Sequence, residues 1–594
     1  MKNLGLATHS TTSDSHAANH LSIRPGIMQS LLILAVAVGV STASADSVVL
    51  DLRYPDAEAD RMIYFPYENA YGGIALTSGD FDGNGTDEII MGSPFMEKER
   101  GRVDILHNAA APVAGTTDVV DLAHPPAAAA ITTLVGTVED GWLGSSVAVG
   151  DFNADGRDDL AVGAPNVNLL AGAVYLFLGG NPCLAPGRFD VSAADIVLHG
   201  AGECDGAGPE LVFGDLNGDG IDDLVISAPF TNKKETLVYA DRAYILYGSP
   251  LRATGQVIQL GTDYDVLLRH IFGNYRSSVN SNGYFIADVL GDGIPDLIIG
   301  CQYGLDRYGH VYVVRGAPRP TGSVVMVHEE ADLVIVDDRK SDMLGAAVGA
   351  GDVDGDGDND LLIGSPNGYS SSYGKLSLLL FNGKPDPAQQ TVIRMGQPTA
   401  LYQEINYYGI YKSENLGQGL TLADFNADGI PDIAVGAFYG RPPGTNKAYG
   451  SVYVLPGRAN WPVGTICIGD VPEILVMNGA TKLEEFGLVL ATGNFGGGAA
   501  SLLVSSRLGD GRFGSGVKNA GQVYQFSQVL FDSLAPLNPK AGIKIAEELY
   551  RISGNWMKPK TGHQIESERM DSERIGPPEI LNLYKRSRKA EPSR

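Results

Sequence analysis

The chain has 594 residues and a formal net charge of −27, with 43 Lys and Arg against 70 Asp and Glu. Binding to a phosphate backbone requires basic surface, and basic residues cluster only near the C-terminus, which argues against nucleic-acid binding. With 76 glycines, 44% hydrophobic residues and 19% charged residues, the composition is typical of a folded, turn-rich, β-leaning protein.

The N-terminal segment, residues 1–45, has the pattern of a signal peptide behind a long polar leader. Arg24 precedes an apolar run over residues 27–40, and Ala43-Ser44-Ala45 forms an A-x-A processing site. A membrane span needs about 20 apolar residues, so the shorter run favours a cleaved signal peptide over an anchor. No later segment is apolar enough to span a bilayer. We therefore expect a secreted or cell-surface protein without a transmembrane anchor in the mature chain.

A repeated unit of 64 to 73 residues fills residues 46–530. Each copy centres on an acidic loop rich in Asp, Asn and Gly. So regular a spacing predicts one stacked or circular array instead of unrelated domains. The first positions of the seven loops are Asp80, Asp151, Asp215, Asp288, Asp352, Asp424 and, in a decayed copy, Asn494.

Each unit carries the pattern of four strands. The first follows a small or aromatic residue and Gly, as in Leu143-Gly144 and, in the first copy, Tyr71-Gly72. The second is apolar and ends in Gly-Ala/Ser-Pro, the third alternates as in residues 172–177, and the fourth resembles residues 195–198. Four antiparallel strands form the blade of a β-propeller, and the absence of helix-period stretches excludes a helical solenoid.

Seven blades must close into a ring. The last copy has a third strand up to Phe526 but no clear fourth strand, whereas residues 48–52 at the mature N-terminus resemble the other fourth strands. We predict that this N-terminal strand completes the seventh blade and thereby removes both sheet edges.

From Leu534 onward the repeat pattern stops, so residues 531–594 are predicted to be a tail. Residues 539–553 are interpreted as one helix, and the polar, charged remainder through Lys585–Lys589 as disordered. The predicted fold class is all-β: a seven-bladed β-propeller of four-stranded antiparallel blades with calcium-binding loops, plus a short helical and disordered C-terminal tail.

The acidic loops follow the nine-residue pattern D-x-[DN]-x-[DN]-G-x-x-[DE]. Calcium takes six to eight oxygens, which side chains at positions 1, 3, 5 and 9 and the carbonyl at position 7 can supply, while Gly at position 6 permits the turn. Five loops are complete. Their side-chain sets are Asp80, Asp82, Asn84 and Glu88; Asp151, Asn153, Asp155 and Asp159; Asp215, Asn217, Asp219 and Asp223; Asp352, Asp354, Asp356 and Asp360; and Asp424, Asn426, Asp428 and Asp432, with Thr86, Arg157, Ile221, Asp358 and Ile430 as carbonyl donors.

The alternative is that these loops are ordinary Asp-Gly and Asn-Gly hairpin turns with solvated acids. Five copies in phase, each with an acid at position 9, favour five structural calcium ions, because clustered carboxylates repel without a counter-ion. The fourth loop has Leu290 at position 3, so we expect weak binding or none there. The seventh is expected to be metal-free.

The tandem of Phe/Leu-Gly, an acidic loop and Gly-Ala-Pro resembles the FG-GAP repeat of integrin α subunits. The same repeat occurs in glycosylphosphatidylinositol-specific phospholipase D and in many exported bacterial proteins. The resemblance implies an extracellular propeller with calcium loops on one face and ligand recognition on the opposite face. Patterns for the β-sandwich legs of integrins and for the zinc-dependent catalytic domain of the phospholipase are not found, so the resemblance extends to the propeller module.

No catalytic motif is present: no His lies at metal-ligand spacing from another, and G-x-S-x-G and H-E-x-x-H are absent. We therefore expect not an enzyme but a secreted, calcium-binding adhesion or ligand-binding module for an extracellular protein or glycan. The alternative is a propeller-type hydrolase or lyase acting on extracellular polysaccharide, because catalytic carboxylates can converge from different blades. Residues 402–413 and 439–447 are interpreted either as long loops of the recognition face or as ordinary blade loops.

Four cysteines are too few to form a disulfide framework for a domain of this size. The sequence leaves open whether Cys183 and Cys204 form a bridge. Cys301 ends an apolar strand and is predicted to be a buried thiol.

Overall fold

The structure is a computed structural model that describes residues 48–51, 59–107, 118–125, 129–229, 242–252, 254–269, 283–302, 308–340, 342–368, 372–385, 389–442, 447–471, 473–496, 499–509 and 518–527. The predicted signal peptide and C-terminal tail lie outside the described residues. Within them, no helix has the length and apolar character needed to cross a membrane.

The described residues form seven five-stranded sheets, and the predicted all-β, seven-bladed propeller is confirmed. In each sheet four strands are antiparallel neighbours. In blades 1 to 3 these are β3 (Ala75–Gly79), β4 (Glu88–Ser93), β5 (Arg102–His107) and β7 (Ala130–Val135); β8 (Val147–Gly150), β9 (Asp159–Ala164), β10 (Ala173–Phe177) and β12 (Ile196–His199); and β13 (Leu211–Gly214), β14 (Asp223–Ala228), β15 (Arg242–Leu246) and β17 (Val266–Arg269).

Blades 4 to 7 repeat this order, except that the seventh takes its fourth strand from the N-terminal part of the chain. Their strands are β18 (Tyr284–Ala287), β19 (Asp296–Cys301), β20 (Tyr308–Val314) and β22 (Leu333–Lys340); β23 (Ala347–Gly351), β24 (Asp360–Ser365), β25 (Lys375–Phe381) and β27 (Tyr402–Tyr408); β28 (Leu416–Ala423), β29 (Asp432–Ala437), β30 (Ser451–Leu455) and β32 (Leu475–Asn478); and β33 (Phe486–Gly493), β34 (Ser501–Ser506), β35 (Gln522–Phe526) and β2 (Arg61–Tyr64).

A fifth strand, not expected from the sequence, lies parallel to the fourth strand of every blade. Each is supplied by the next blade around the ring, so it covers an edge that would otherwise expose unpaired backbone groups. These strands, for blades 1 to 7, are β11 (Gly187–Asp190), β16 (Gln256–Gln259), β21 (Ser323–Met326), β26 (Thr391–Arg394), β31 (Gly464–Cys467), β1 (Val48–Asp51) and β6 (Asp118–Asp121).

Helical structure is limited to short turns in the described part of the chain. They are α1 (Val327–Glu330) and 3-10 turns at Pro182–Leu184, Val191–Ala193 and Ile468–Asp470. The turns at Met96–Glu99 and Val167–Leu170 contain left-handed residues and are not regular α-helix.

The first strand of each blade contacts the first strands of both neighbouring blades, and the seven contacts close the ring. The buried apolar side chains form seven clusters, and each cluster spans two adjacent blades. No blade therefore completes its core alone, and the hydrophobic stabilisation of each depends on its neighbours.

The N-terminal part of the chain closes the ring, but the prediction of which strand does so was wrong. The segment Arg61–Tyr64 pairs antiparallel with β35 and completes the seventh blade. The predicted segment forms β1 instead, parallel to β32 in blade 6. Polar contacts reinforce the closure: Arg61 Nη1 donates to Gln525 Oε1 at 2.7 Å, and Ser527 N donates to Asp60 Oδ2 at 2.6 Å.

The Phe/Leu-Gly pair of the first blade is Gly72-Gly73, one residue later than predicted. Gly72 bridges Gly521 as Leu143 bridges Gly101 at the next seam. The Phe65 ring fills the space that a side chain at Gly72 would occupy, since a Cβ there would lie 2.1 Å from the ring. An aromatic residue from elsewhere in the chain thus replaces the one missing from the repeat.

Three further points of the sequence analysis are resolved by the fold. Residues 402–408 form the regular strand β27, so the interpretation of this segment as a recognition loop was wrong. Cys183 and Cys204 are both free thiols. Cys301 is buried, as predicted.

The closing strand generates a test of the fold. Ile63 is fully buried between blades 7 and 1, so Ile63→Ala should lower the free energy of unfolding by about 2–5 kcal/mol. Val257→Ala, at an exposed position of β16, should change it by less than about 0.5 kcal/mol. Thermal melting of both variants measures the difference. Equal melting temperatures would contradict the assignment of β2 to the seventh blade.

Candidate metal centre: the acidic loops

Six acidic loops, five with the full nine-residue pattern and the fourth with Leu290 at position 3, connect the first and second strands of blades 1 to 6, and we number them by blade. Asp80 directly follows β3 and Glu88 begins β4. Because equivalent connections lie at the same end of every blade, the loops share one face of the propeller. The sixth residue has a left-handed backbone, with φ of 85° at Gly85 and 95° at Gly357. A side chain there would be strained, which explains the Gly.

Backbone amides hold the side chains at positions 1, 3 and 5 inside the loop. In loop 5, Asp352 accepts from the N–H groups of Asp356 (3.0 Å) and Gly357 (2.9 Å), and Asp354 accepts from Asp356 N at 3.1 Å. Asp356 in turn accepts from Asp358 N at 2.9 Å. Each carboxylate has about four lone-pair sites, so these bonds orient its oxygens and leave capacity for a cation.

The same bonds recur in the other loops. Position 1 accepts from positions 5 and 6, and position 5 accepts from position 7, in loops 1, 2, 3, 4 and 6. Position 3 accepts from position 5 through Asp82, Asn153, Asn217 and Asn426. The residues at position 7, whose carbonyls are the predicted donors, thus have their N–H groups bonded to the side chain at position 5.

The acid at position 9 is buried and ties the loop to the blade. Asp360 accepts from Val353 N at 3.2 Å and from Phe381 N, at the end of the third strand, at 3.0 Å. Burial, and next the charge of Asp354, raise its pKa to about 8. Burial likewise raises the pKa of Asp159 and Asp223 to about 7 and that of Asp432 to about 6. An ionised carboxylate here is costly unless a cation compensates it.

Loop 5 has the densest set of carboxylates. Oxygens of Asp352, Asp354 and Asp356 all lie within 4.8 Å of one another, close enough to hold one metal ion. Asp360 is not part of this group. In the loops with Asn at position 3 the amide faces an acid instead: Asn153 Nδ2 donates to Asp155 at 3.1 Å, and Asn426 Nδ2 to Asp432 at 3.4 Å. The grouping into complete oxygen sets therefore stays a prediction for loops 1, 2, 3 and 6.

Protein cations contact the fourth loop. Leu290 at position 3 is buried, Arg315 Nη1 contacts Asp292, and Lys384 Nζ from blade 5 donates to the Gly291 carbonyl. Arg315 Nε also bonds to Asp332 at 3.1 Å. This loop lacks an oxygen and already has two positive charges beside it, so its residues do not fit a calcium ion. The sequence offered Leu290 as a signal but could not reveal Arg315 or Lys384.

Two buried glutamates lie in turns at the opposite end of the blades, which tests the enzymatic alternative. Burial raises the pKa of Glu414 and of Glu484 to about 7. Glu414 accepts from the N–H groups of Ile410 and Tyr411 at 2.8 and 3.0 Å, and Glu484 accepts from Thr481 Oγ1 at 2.8 Å. Both carboxylates are inaccessible to a polysaccharide, and their bonds give them a role in shaping their own turns.

Comparison with known proteins supports the repeat. The FG-GAP repeat family matches residues 143–177, 207–246, 344–379 and 416–455, which run from the Phe/Leu-Gly position into the third strand of blades 2, 3, 5 and 6. The chain is 27% identical over 408 residues to phosphatidylinositol-glycan-specific phospholipase D of Homo sapiens, covering 64% of this chain and 44% of that protein.

Integrin α chains are similar over a shorter span. Identity is 28% over 299 residues to integrin alpha-5 of Xenopus laevis, which covers 48% of this chain and 24% of the integrin. It is 27% over 341 residues to integrin alpha-IIb of Homo sapiens, covering 55% and 26%. The chain thus spans less than half the length of these relatives, and the predicted resemblance to them is confirmed.

The buried glutamates predict a pH dependence of stability. The ordinary pKa of Glu484 is 4.5 and burial raises it to about 7, so between these pH values the folded protein holds a proton that the unfolded chain releases. The free energy of unfolding therefore falls as pH rises from about 4.5 to 7, by about 3 kcal/mol for this group. Glu484→Gln is neutral throughout and should remove that part of the fall.

Thermal melting from pH 4.5 to 8 measures this effect. Glu203→Gln, an exposed glutamate in the turn before blade 3, is the matched control and should retain the slope of the unaltered protein. A Glu484→Gln profile parallel to that of the control would show that Glu484 is ionised in the folded state.

Proposed function

We propose that this FG-GAP repeat protein, similar to integrin α chains and to phosphatidylinositol-glycan-specific phospholipase D, binds five structural calcium ions and serves as a secreted ligand-binding module. The ligand would be an extracellular protein or glycan. The apolar run and the A-x-A site that ends at Ala45 support export.

The arrangement of loop 5 is the observation that carries the calcium proposal. Three carboxylates lie within 4.8 Å of one another, each oriented by backbone N–H groups. The donors are oxygens throughout, which suits a hard cation such as calcium and not a soft one. Loops 1, 2, 3 and 6 have the same backbone bonds and the same ligand positions, so we assign one ion to each.

A structural role for these ions follows from the position of the ninth residue. Asp360 bonds both to its own loop and to the third strand. An ion coordinated by the loop would therefore link the first, second and third strands of a blade. By linkage, calcium bound to the folded state alone should stabilise the whole ring.

Ligand binding is assigned to the face opposite the acidic loops. Large apolar side chains are exposed in the connections on that face, notably Tyr67, Val138, Leu169, Leu170 and Leu483. Leu169 and Leu170 are adjacent in one connection, and exposed apolar groups that adjoin one another are a feature of interaction sites on soluble proteins.

Two turns on this face have strained backbones. Residues 97–99 and 168–170 each have three consecutive left-handed residues other than Gly, with φ between 54° and 65°. Such conformations cost about 1–2 kcal/mol per residue and concentrate at functional sites. Leu169, 74% exposed, lies in the second turn and is held out towards solvent.

Calcium removal tests the metal assignment. Each ion adds about 2.7 kcal/mol at a hundredfold excess over its Kd, so chelation should lower the melting temperature markedly. In Asp356→Ala, the calcium-dependent rise in the free energy of unfolding should be smaller by about the contribution of one site. Asp292→Ala breaks the contact with Arg315, but calcium should still raise its free energy of unfolding by the full amount.

Differential scanning calorimetry with and without a chelator measures both effects. The calcium assignment is wrong if chelation leaves melting unchanged. The distinction between complete and incomplete loops is wrong if Asp292→Ala loses as much of the increment as Asp356→Ala.

Binding to arrays of glycans and extracellular proteins tests the ligand proposal. The calcium-loaded protein should show saturable binding, and the double variant Leu169→Ser, Leu170→Ser should weaken it at least tenfold, because its apolar contact area is lost. Val257→Ser, a change at a similarly exposed position of the outer edge, is the control. Release of product from a polysaccharide, or binding unaffected by the double variant, would contradict the proposal.

A further inference from the structure

The eighth residue of an acidic loop contacts the loop of the preceding blade. In loop 2 this residue is Asp158. Its Oδ2 accepts from Asp80 N at 2.7 Å, and its own N–H donates to the Asp80 carbonyl at 3.2 Å. Asp80 carries the first carboxylate of loop 1. One residue of blade 2 therefore holds both backbone polar groups of a predicted metal ligand in blade 1.

The same pair of bonds recurs at two neighbouring seams. Asp222 of loop 3 accepts from Asp151 N at 3.1 Å and donates to the Asp151 carbonyl at 3.3 Å. Asp87 of loop 1 accepts from Asn494 N at 2.9 Å and donates to its carbonyl at 2.8 Å. We call Asp87, Asp158 and Asp222 the clamp residues.

The clamp is interrupted elsewhere in the ring. The eighth residue is Pro295 in loop 4 and Pro431 in loop 6, and proline has neither an N–H nor a carboxylate. Asn359 of loop 5 makes a single side-chain bond, from Nδ2 to the Asp288 carbonyl at 3.0 Å. Loops 3 and 5 thus face a proline of the next blade, whereas loops 1 and 2 face a clamp residue.

Each clamp residue is also joined to its own loop through the following acid. Asp158 precedes Asp159, which accepts from Phe152 N at 2.9 Å and Gly179 N at 2.6 Å. A second inter-blade bond runs beside it, from Gly180 N to the Phe81 carbonyl at 3.2 Å. An ion that orders loop 2 would therefore also fix the residue that holds the first ligand of loop 1.

We propose that Asp158 and Asp222 are positioning residues that couple adjacent calcium sites, so that loops 1, 2 and 3 bind calcium cooperatively while loops 5 and 6 bind independently. This inference rests on the proposed calcium binding. Coupling between two sites is reciprocal in binding free energy. Loss of a clamp residue, however, acts first on the loop that it holds, which belongs to the preceding blade and not to its own.

Hydrogen–deuterium exchange across a calcium titration resolves the loops individually. The calcium concentration at half-protection is read from peptides that cover residues 79–88, 150–159, 214–223 and 423–432. Asp158→Ala should raise the midpoint of loop 1 about fivefold, within the usual range of coupling between sites, and that of loop 2 by less. Asp222→Ala should raise the midpoint of loop 2 about fivefold and leave the midpoint of loop 6 unchanged.

Two variants serve as controls. Asp158→Asn keeps an acceptor oxygen for Asp80 N, so the midpoint of loop 1 should stay within about twofold. Asn359→Ala changes the equivalent residue of loop 5. Asn359 contacts loop 4, which is not one of the proposed calcium sites, so this variant should shift no midpoint.

The outcomes separate the two proposals. Absence of calcium-dependent protection at every loop of the unaltered protein would overturn calcium binding itself. Protection that is present, with Asp158→Ala shifting the midpoint of neither loop 1 nor loop 2, or shifting that of loop 6 as much as that of loop 1, would overturn the coupling alone. If Asp158→Ala does not fold, Asp222→Ala makes the same comparison one seam along the ring.

Discussion

Ring closure is the constraint on which the rest of the structure depends, because every hydrophobic cluster spans two blades. Closure is made by β2, which pairs with β35 from the other end of the chain and buries Met62 and Ile63. The fifth strands add a second connection between blades, since each is part of the next blade. The ring is therefore a cooperative unit in which neighbouring blades complete one another.

Closure of the ring also brings the acidic loops to one face of the propeller. Equivalent connections come to one face, where 16 carboxylates belong to the five complete sets. Acids this close repel one another, and the buried ninth residues add a desolvation cost that raises the pKa of Asp360 to about 8. Calcium ions in five loops would offset both effects and bring the formal charge from −27 to −17.

The fourth acidic loop has cationic protein side chains beside it. Arg315 and Lys384 bring guanidinium and ammonium groups to a loop that Leu290 deprives of an oxygen. Lys384 comes from blade 5, so this contact also joins two blades. The same backbone turn, with Asp288 accepting from Asp292 N and Gly293 N, is thus retained beside these two cationic side chains.

The sequence by itself determined the features that depend on local pattern: the number of repeats, the alternating third strands and the turn glycines. Tertiary structure decided the features that depend on distant partners. Residues 48–51 and Arg61–Tyr64 are both short strands, and only pairing with β32 or β35 distinguishes their roles. Lys384 reaches a loop 93 residues away. Neighbours in space that are remote in sequence leave no periodic signal, so a pattern of spacing could not predict them.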